Sequence, residues 1–281
     1  MVKSIDTLVV DIEKVLTEGA VVEDSKYEEL GKQLAQTMKK ALSERQREST
    51  LRMSNIGKPC ERALWYEMHE AEGEPLRAET YMKFLTGHLL EDVLLFLAEV
   101  SGHEVTGRQD EQEINGIKGH RDCIIDGHLV DAKSASSYSF KKFQSGGLRD
   151  DDAFGYIPQL QSYLHASQND ELLRDKENAS FLVVDKAMGH ICLDTHRKDS
   201  SINWENFYNK KKQVVSSETP PERAFSPEPI GASGNEKLPV NCSYCPFWKT
   251  CYPDTRVFLY SYGPVKLSKV TLEPKVPELK G

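Results

Sequence analysis

The sequence predicts an α/β sandwich built on a mixed sheet. One observation is the element order, which reads helix, strands, helix, strands, helix. Another is the Asp126-Gly127 pair between two β-rich runs, a tight-turn signal. The third is a pair of amphipathic stretches ahead of this core. Residues 4–17 place Ile5, Leu8, Val9, Ile12 and Leu16 at helical spacing, and 24–47 continue with Tyr27, Leu30, Leu34, Met38 and Leu42. Both read as helices that pack on the body through one apolar face. Residues 51–69 hold Cys60 in an apolar and basic setting, and 81–100 read as a helix rich in Leu and Phe. Weak strand signals cross 103–114. Clearer ones cover 117–125 and 129–133. Gly146-Gly147 and the acids Asp150, Asp151 and Asp152 mark a loop. A helix follows over 156–167, then strands over 181–185 and 190–194, and a last core helix over 201–215. The proline-rich stretch 217–240 reads as a connection, and the tail from Gly263, with Pro264, Pro274 and Pro277, as extended or mobile.

Composition removes several classes. No run of about 18 apolar residues exists, so no membrane-spanning helix is expected. Acids interrupt the first apolar stretch (MVKSIDTLVVDIEKVL), which no secretory signal tolerates. The chain of 281 residues is 38% hydrophobic, enough for a packed core. Its six cysteines then suggest a reducing, cytoplasmic setting with a bound metal or cluster rather than disulfides. Lys plus Arg number 36 and Asp plus Glu 44, a net charge of −8, which argues against coating nucleic acid by bulk charge.

Four short patterns occur in order: Gly87-His88-Leu89-Leu90-Glu91 on the long helix, Gly119-His120-Arg121-Asp122 on a strand, Asp131-Ala132-Lys133 on the next strand, and Gln159-Leu160-Gln161-Ser162-Tyr163 on a helix. Alternate strand residues share a face, so Asp131 and Lys133 look into one site. A hairpin brings Asp122 beside Asp131, and Glu91 supplies another carboxylate. Carboxylates with a backbone carbonyl make an oxygen-rich site suited to Mg²⁺ or Mn²⁺. Such ions offset phosphate charge, and a lysine beside them can orient or deprotonate water and stabilise developing charge. Alone, an Asp-x-Lys triplet is equally a surface ion pair; the other patterns give it weight.

Together, Gly87-xxx-Glu91, Asp122, Asp131-x-Lys133 and Gln159-xxx-Tyr163 resemble the PD-(D/E)xK superfamily, and within it the RecB-like nucleases with a Gln-xxx-Tyr motif. The resemblance implies a restriction-endonuclease-like αβββαβ core, a three-layer sandwich, that cuts DNA with Mg²⁺ or Mn²⁺. It makes Glu91, Asp122, Asp131 and the Ala132 carbonyl metal ligands, Lys133 the catalytic lysine, and Gln159 and Tyr163 contacts to the DNA backbone. Many members carry His where this chain has Glu91. His88, one turn earlier, is a further candidate for metal or phosphate, or an ordinary helix-surface histidine.

Cys242, Cys245 and Cys251 form C-x2-C-x5-C, with Cys60 far upstream; Cys123 and Cys192 fall in predicted strands as core thiols. The spacing leaves zinc and iron–sulfur open, although structural zinc usually takes two paired knuckles. Pro59-Cys60-Glu61-Arg62 with Trp65-Tyr66, and the three later cysteines, are similar to the iron–sulfur branch of the same nucleases, which implies a [4Fe–4S] cluster on Cys60, Cys242, Cys245 and Cys251, with Zn²⁺ as the alternative. The cluster would clip the core by closing a very long loop.

The expected organisation is N-terminal helices over 1–56, a nuclease core over 57–216, a connection and cysteine segment over 217–262, and a tail over 263–281. Basic and aromatic residues mix over 138–149, so Lys141, Lys142 and Arg149 are candidate DNA contacts in a loop. Lys210, Lys211 and Lys212 read as a solvated helix face. The expected function is a metal-dependent exonuclease on linear DNA, with single-strand preference and 5′→3′ digestion implied by the resemblance. A phage or CRISPR-type accessory role, acting in a bacterial or infected-host cytoplasm, fits a chain without a GxxxxGK[ST] motif. The competing class is a non-catalytic DNA-end binder or assembly partner on the same fold.

Overall fold

The computed structural model describes residues 3–43 and 49–279; the end of the helix expected over 24–47 lies outside them. Helix α1 (Leu8–Glu18) buries Leu8 and Ile12, one turn apart, and α2 (Asp24–Leu42) follows. Two short helices, α3 (Met53–Ile56) and α4 (Glu61–Met68), precede the long α5 (Ala78–Val100). The strands then run β1 (Val105–Thr106), β2 (Glu111–Ile114), β3 (Ile117–His120), β4 (Cys123–Ile125) and β5 (His128–Ala135). After α6 (Ser137–Gln144) and α7 (Tyr156–Ala166) come β6 (Asn178–Asp185), β7 (Ile191–Arg197) and α8 (Trp204–Ser216).

The main sheet has the order β1-β4-β5-β6-β7. β5 and β6 are parallel and the other pairs antiparallel, so the sheet is mixed, as the element order predicts. Its period-two side chains feed two apolar layers. Leu129, Phe181 and Val183 pack with Phe140, Phe143, Leu160 and Tyr208 from α6, α7 and α8. Val130, Leu182 and Val184 pack with Leu8, Ile12, Leu94, Leu95 and Ala98 from α1 and α5. Helices therefore cover both faces. Cys123 and Cys192 are buried in these layers, as expected of core thiols.

The structure departs from the sequence expectations in several places. The strand expected over 117–125 breaks at Arg121 and Asp122. Its first half pairs with β2 as a separate two-stranded ribbon, and its second enters the main sheet. The break is anchored by the buried Arg121 guanidinium, held by Asp110 at 2.8 Å and Asp170 at 2.5 Å. Asp122 thus lies between strands rather than on one. The expected loop over 138–149 is instead α6 followed by a 3-10 turn, Gly147–Arg149. Lys211 is buried against α4, its Nζ donating to the Lys58 carbonyl at 3.2 Å, so the lysine run is not wholly solvated.

The stretch expected as connection and mobile tail builds a second sheet. Strands β8 (Glu228–Ile230) and β9 (Asn235–Lys237), helices α9 (Val240–Ser243) and α10 (Trp248–Cys251), and strands β10 (Arg256–Tyr260) and β11 (Gly263–Lys269) follow in order. The sheet order is β10-β11-β9-β8. Its prolines fit because Pro229 sits on an outer strand and Pro264 near the start of β11. Residues beyond β11 are tied down as well: Arg256 grips Glu273 and Glu278, and Leu279 N–H donates to the Val257 carbonyl at 2.8 Å. Among the described residues no helix is long and apolar enough to cross a membrane.

Candidate functional site

The two-residue period places Asp131 and Lys133 on the Leu129 face of β5, toward α7. Asp131 is 5% exposed. Its Oδ2 touches the Lys133 ammonium as an ion pair but receives no directional hydrogen bond. β4 begins only at Cys123, so the Ala132 N–H lies beyond the β4 ladder; Asp122 Oδ2 accepts it at 2.9 Å. That bond draws the Asp122 carboxylate to the centre of β5.

Glu91, on α5, lies in the electrostatic field of both aspartates and is held by Gln109 Nε2 at 2.9 Å. Desolvation raises the Asp122 carboxyl well above the ordinary range although the residue keeps some surface, and the charges of Asp131 and Glu91 add to the rise. Burial likewise raises Asp131, with Lys133 opposing and Glu91 adding. Burial alone would depress Lys133, but Asp131 and Asp122 outweigh it and raise its pKa, so it is an ammonium at neutral pH. The Lys133 Nζ also lies 5.5 Å from the centre of the Tyr156 ring.

Glu91 and Asp122 line a cleft of about 660 Å³ between α2 and α5, with Asp131 and Lys133 behind them and not on its lining. Gln33, Gln36, Thr37 and Lys40 wall one side, and Phe84, His88 and Glu91 the other. Helix α2 is held there by Thr37, which donates to Asp92 Oδ2 at 2.6 Å, and by Lys26 with Glu99 at 3.1 Å. The sequence reading treats α2 as packing only. Its wall residues were visible as polar positions three or four apart, the spacing of one helix face. His88 is exposed on this wall, 4.0 Å from Glu91.

The structure therefore brings Asp122, Asp131, Ala132 and Lys133 together, with Glu91 in the same field and His88 beside it. Tyr163 approaches from α7; burial raises its hydroxyl, Asp131 and Asp122 add to that, and the His120 main chain bonds it. It is 4% exposed, so it sits behind the acids rather than free at the surface. Gln159 is half-buried one turn earlier on α7. Lys141 is exposed on α6, Lys142 is paired with Asp151, and Arg149 donates to the Thr195 carbonyl at 2.9 Å. Tyr156 and Gln109 are site residues the sequence reading did not single out.

Among the described residues, no group of His, Cys, Asp and Glu side chains converges as a ready-made metal cage. The acidic donor set still suits a hard divalent cation. It is oxygen-only, its buried Asp131 Oδ2 has the Lys133 ammonium as its one polar partner among the described residues, and the charge of Glu91 raises the pKa of both aspartates.

Cys60 caps α4, its Sγ accepting the Ala63 N–H at 3.4 Å. Burial pushes the Cys242 thiol up to about 12, and the charges of Cys245, Cys60 and Cys251 add to it. Burial also raises Cys245, with Cys60 and Cys251 contributing. Cysteines that are remote in sequence thus share one environment, and Cys242 and Cys251 pack against the cluster of Leu238, Trp248 and Tyr252. Arg62 donates to the Pro221 carbonyl at 2.7 Å and Trp65 to the Ser217 carbonyl at 2.8 Å, fastening α4 to the segment that leads to the other cysteines. The donor type, all thiol, is that of iron–sulfur and zinc sites, but among the described residues these cysteines do not stand as a ready-made metal group.

A serine–histidine–aspartate chain also occurs: His128 Nε2 lies 2.8 Å from Ser180 Oγ and Nδ1 3.1 Å from Asp175. Ser180 is fully buried and shares its hydroxyl with Thr195, so the chain is a core network without substrate access.

No protein-family model and no curated protein matches the sequence. Among solved structures, the chain is similar to the crystal structure of SSO0001, at 16% identity and a TM-score of 0.42, covering 79% of this chain and 93% of that one. It is also similar to a phage-related exonuclease from Haemophilus somnus 129PT, at 16% identity and a TM-score of 0.32, covering 59% of this chain and 90% of that one.

Proposed function

We propose that this chain is a metal-dependent DNA nuclease of the PD-(D/E)xK, RecB-like type, acting as an exonuclease on linear single-stranded DNA. One observation carries the reading: the Asp122 carboxylate bonds to the Ala132 N–H, which sets it against the Asp131–Lys133 pair, with Glu91 in the same field. Buried acids whose charges oppose one another are costly unless they serve a purpose, and cation binding at a phosphodiester is the purpose this donor set suits.

Glu91, Asp122, Asp131 and the Ala132 carbonyl would hold Mg²⁺ or Mn²⁺, with His88 as a further candidate. When bound, the ion supplies charge neutralisation and Lewis acidity. In hydrolysis a water oxygen forms a bond to phosphorus, the bond to one ester oxygen breaks, and that oxygen leaves with a proton. Lys133, held as an ammonium, stabilises the charge on the phosphoryl oxygens and orients the phosphate. Tyr163 and Gln159 would support the strand from α7, and Lys141, Lys142 and Arg149 would contact the DNA backbone. The four cysteines Cys60, Cys242, Cys245 and Cys251 would hold a structural [4Fe–4S] cluster, with zinc as the alternative.

The test is release of acid-soluble nucleotides from linear DNA. Activity should require Mg²⁺ or Mn²⁺ and vanish in Asp131→Asn. Full activity in that variant would contradict the assignment. The second reading is a DNA-end binder or assembly partner on the same fold, without catalysis. Binding without hydrolysis at any divalent cation would establish it.

A further inference from the structure

We propose that Phe154 and Tyr244 form a stacking platform for unpaired bases, so that the cysteine segment is part of the substrate-binding surface; this rests on the nuclease reading. An aromatic series starts at the site itself. The Lys133 ammonium lies 5.5 Å from the Tyr156 ring centre, Tyr156 lies 5.6 Å from Phe154, and Phe154 lies 6.1 Å from Tyr244. Tyr244 sits between Cys242 and Cys245, so the series runs from the catalytic lysine to the cysteines.

Its outer rings are open. Tyr244 is 73% exposed and Phe154 45% exposed. The rings meet at 35° and 65°, which leaves their faces uncovered by one another. Large aromatics left exposed beside a charged site mark a binding surface. Bases offer flat π faces of any sequence, and stacking on aromatics is the recurrent means of holding single strands.

The backbone beneath is fixed. Asp152 accepts the N–H groups of Tyr156 at 2.9 Å and Ile157 at 2.8 Å, capping α7 directly after Phe154. Asn241 Nδ2 donates to the Ala153 carbonyl at 2.7 Å, which pins the cysteine segment to this turn. Of the nearby acids, Asp152 caps α7 and Asp151 pairs with Lys142, while Asp150 is exposed, so the platform holds a strand through its bases rather than its phosphates. A duplex hides its base faces in the stack, so the platform selects unpaired strands.

The test uses the full chain carrying Lys133→Met, to prevent cleavage, and a single-stranded oligonucleotide containing 2-aminopurine, whose fluorescence falls on stacking. Binding should quench it. Phe154→Leu and Tyr244→Leu should each weaken binding by roughly 5- to 150-fold, the equivalent of one stacked base, and remove part of the quenching. Tyr244→Phe, which keeps the ring, should restore both, and thermal melts should show that the variants remain folded. Tyr262→Leu, a comparably exposed ring on the β10–β11 turn, should change neither. Unchanged binding and quenching in the leucine variants of a chain that digests DNA would overturn the platform alone. An equal loss in Tyr262→Leu would overturn its location. Failure of the wild-type chain to bind any oligonucleotide would overturn the platform together with the nuclease reading.

Discussion

At the residue scale, Lys133 and Asp122 behave differently from ordinary surface ions. Because its neighbours raise the Lys133 pKa, in the proposed reaction the residue would act through its charge rather than as a base. Lys133→Met keeps the volume of the stem but removes that charge. Steady-state kinetics should show at least a ~100-fold fall in turnover, the scale of losing one preorganised charge stabiliser. Asp122 gives a pH prediction. Its folded pKa is raised, so between the unfolded value near 4 and the folded value the native state holds the extra proton. Asp122's contribution to stability without metal should therefore be fully present below pH 4 and be lost as pH rises through that window. Asp131 is raised as well, so urea unfolding of metal-free Asp122→Asn should show a shallower fall, and the variant should be more stable than wild type at neutral pH; the same pH slope in both proteins would refute it. The Asp131-x-Lys133 pair was legible because strand alternation needs no long-range knowledge. The Asp122 hydrogen bond to Ala132 was not, because it depends on where β4 starts. That in turn depends on Arg121 finding Asp110 and the distant Asp170.

At the element scale, close backbone contact positions α7, which carries Gln159 and Tyr163. A Cβ on Gly57, just after α3, would collide with the Gly155 carbonyl at the start of α7. Gly57 has an ordinary φ of −74°, so Gly57→Ala adds a clash without backbone strain. It should destabilise the chain by about 1–3 kcal/mol in chemical denaturation. Gly31 is the opposite case. It lies in the exposed interior of α2 with nothing near its missing side chain. Gly31→Ala should stabilise by ~1 kcal/mol, and a destabilisation would mean α2 is not a regular helix there. Helix periodicity exposed α1, α5, α7 and α8 in the sequence. It did not show that α2 walls the cleft, since a polar helix face looks the same toward solvent and toward a substrate. Nor did it show the second sheet, whose short strands and prolines mimic a connection.

At the scale of the whole molecule, the proposed cluster would tie α4 to the cysteine segment ahead of the second sheet. Cys60 precedes α4, and Cys242, Cys245 and Cys251 lie in the segment leading into the second sheet, so the proposed shared cluster would close most of the chain into a loop. Cys60→Ala and Cys245→Ala should each lower the melting temperature and release bound metal. The double variant should be little worse than either single one, because both remove the same link. Additive losses would mean the thiols act separately. Metal analysis with visible absorption of anaerobically purified protein separates iron–sulfur from zinc. The net charge of −8 discouraged a DNA partner, yet part of it is the site's own acids, which a cation would offset. The most direct measurement of the central claim is digestion of end-labelled linear single-stranded DNA beside a circular control, with Mn²⁺ and with chelator, by wild type and Lys133→Met. The linear strand should be degraded only by wild type with Mn²⁺, and the circle should survive. Equal degradation of the circle would contradict an exonuclease, and undiminished digestion by Lys133→Met would contradict the site.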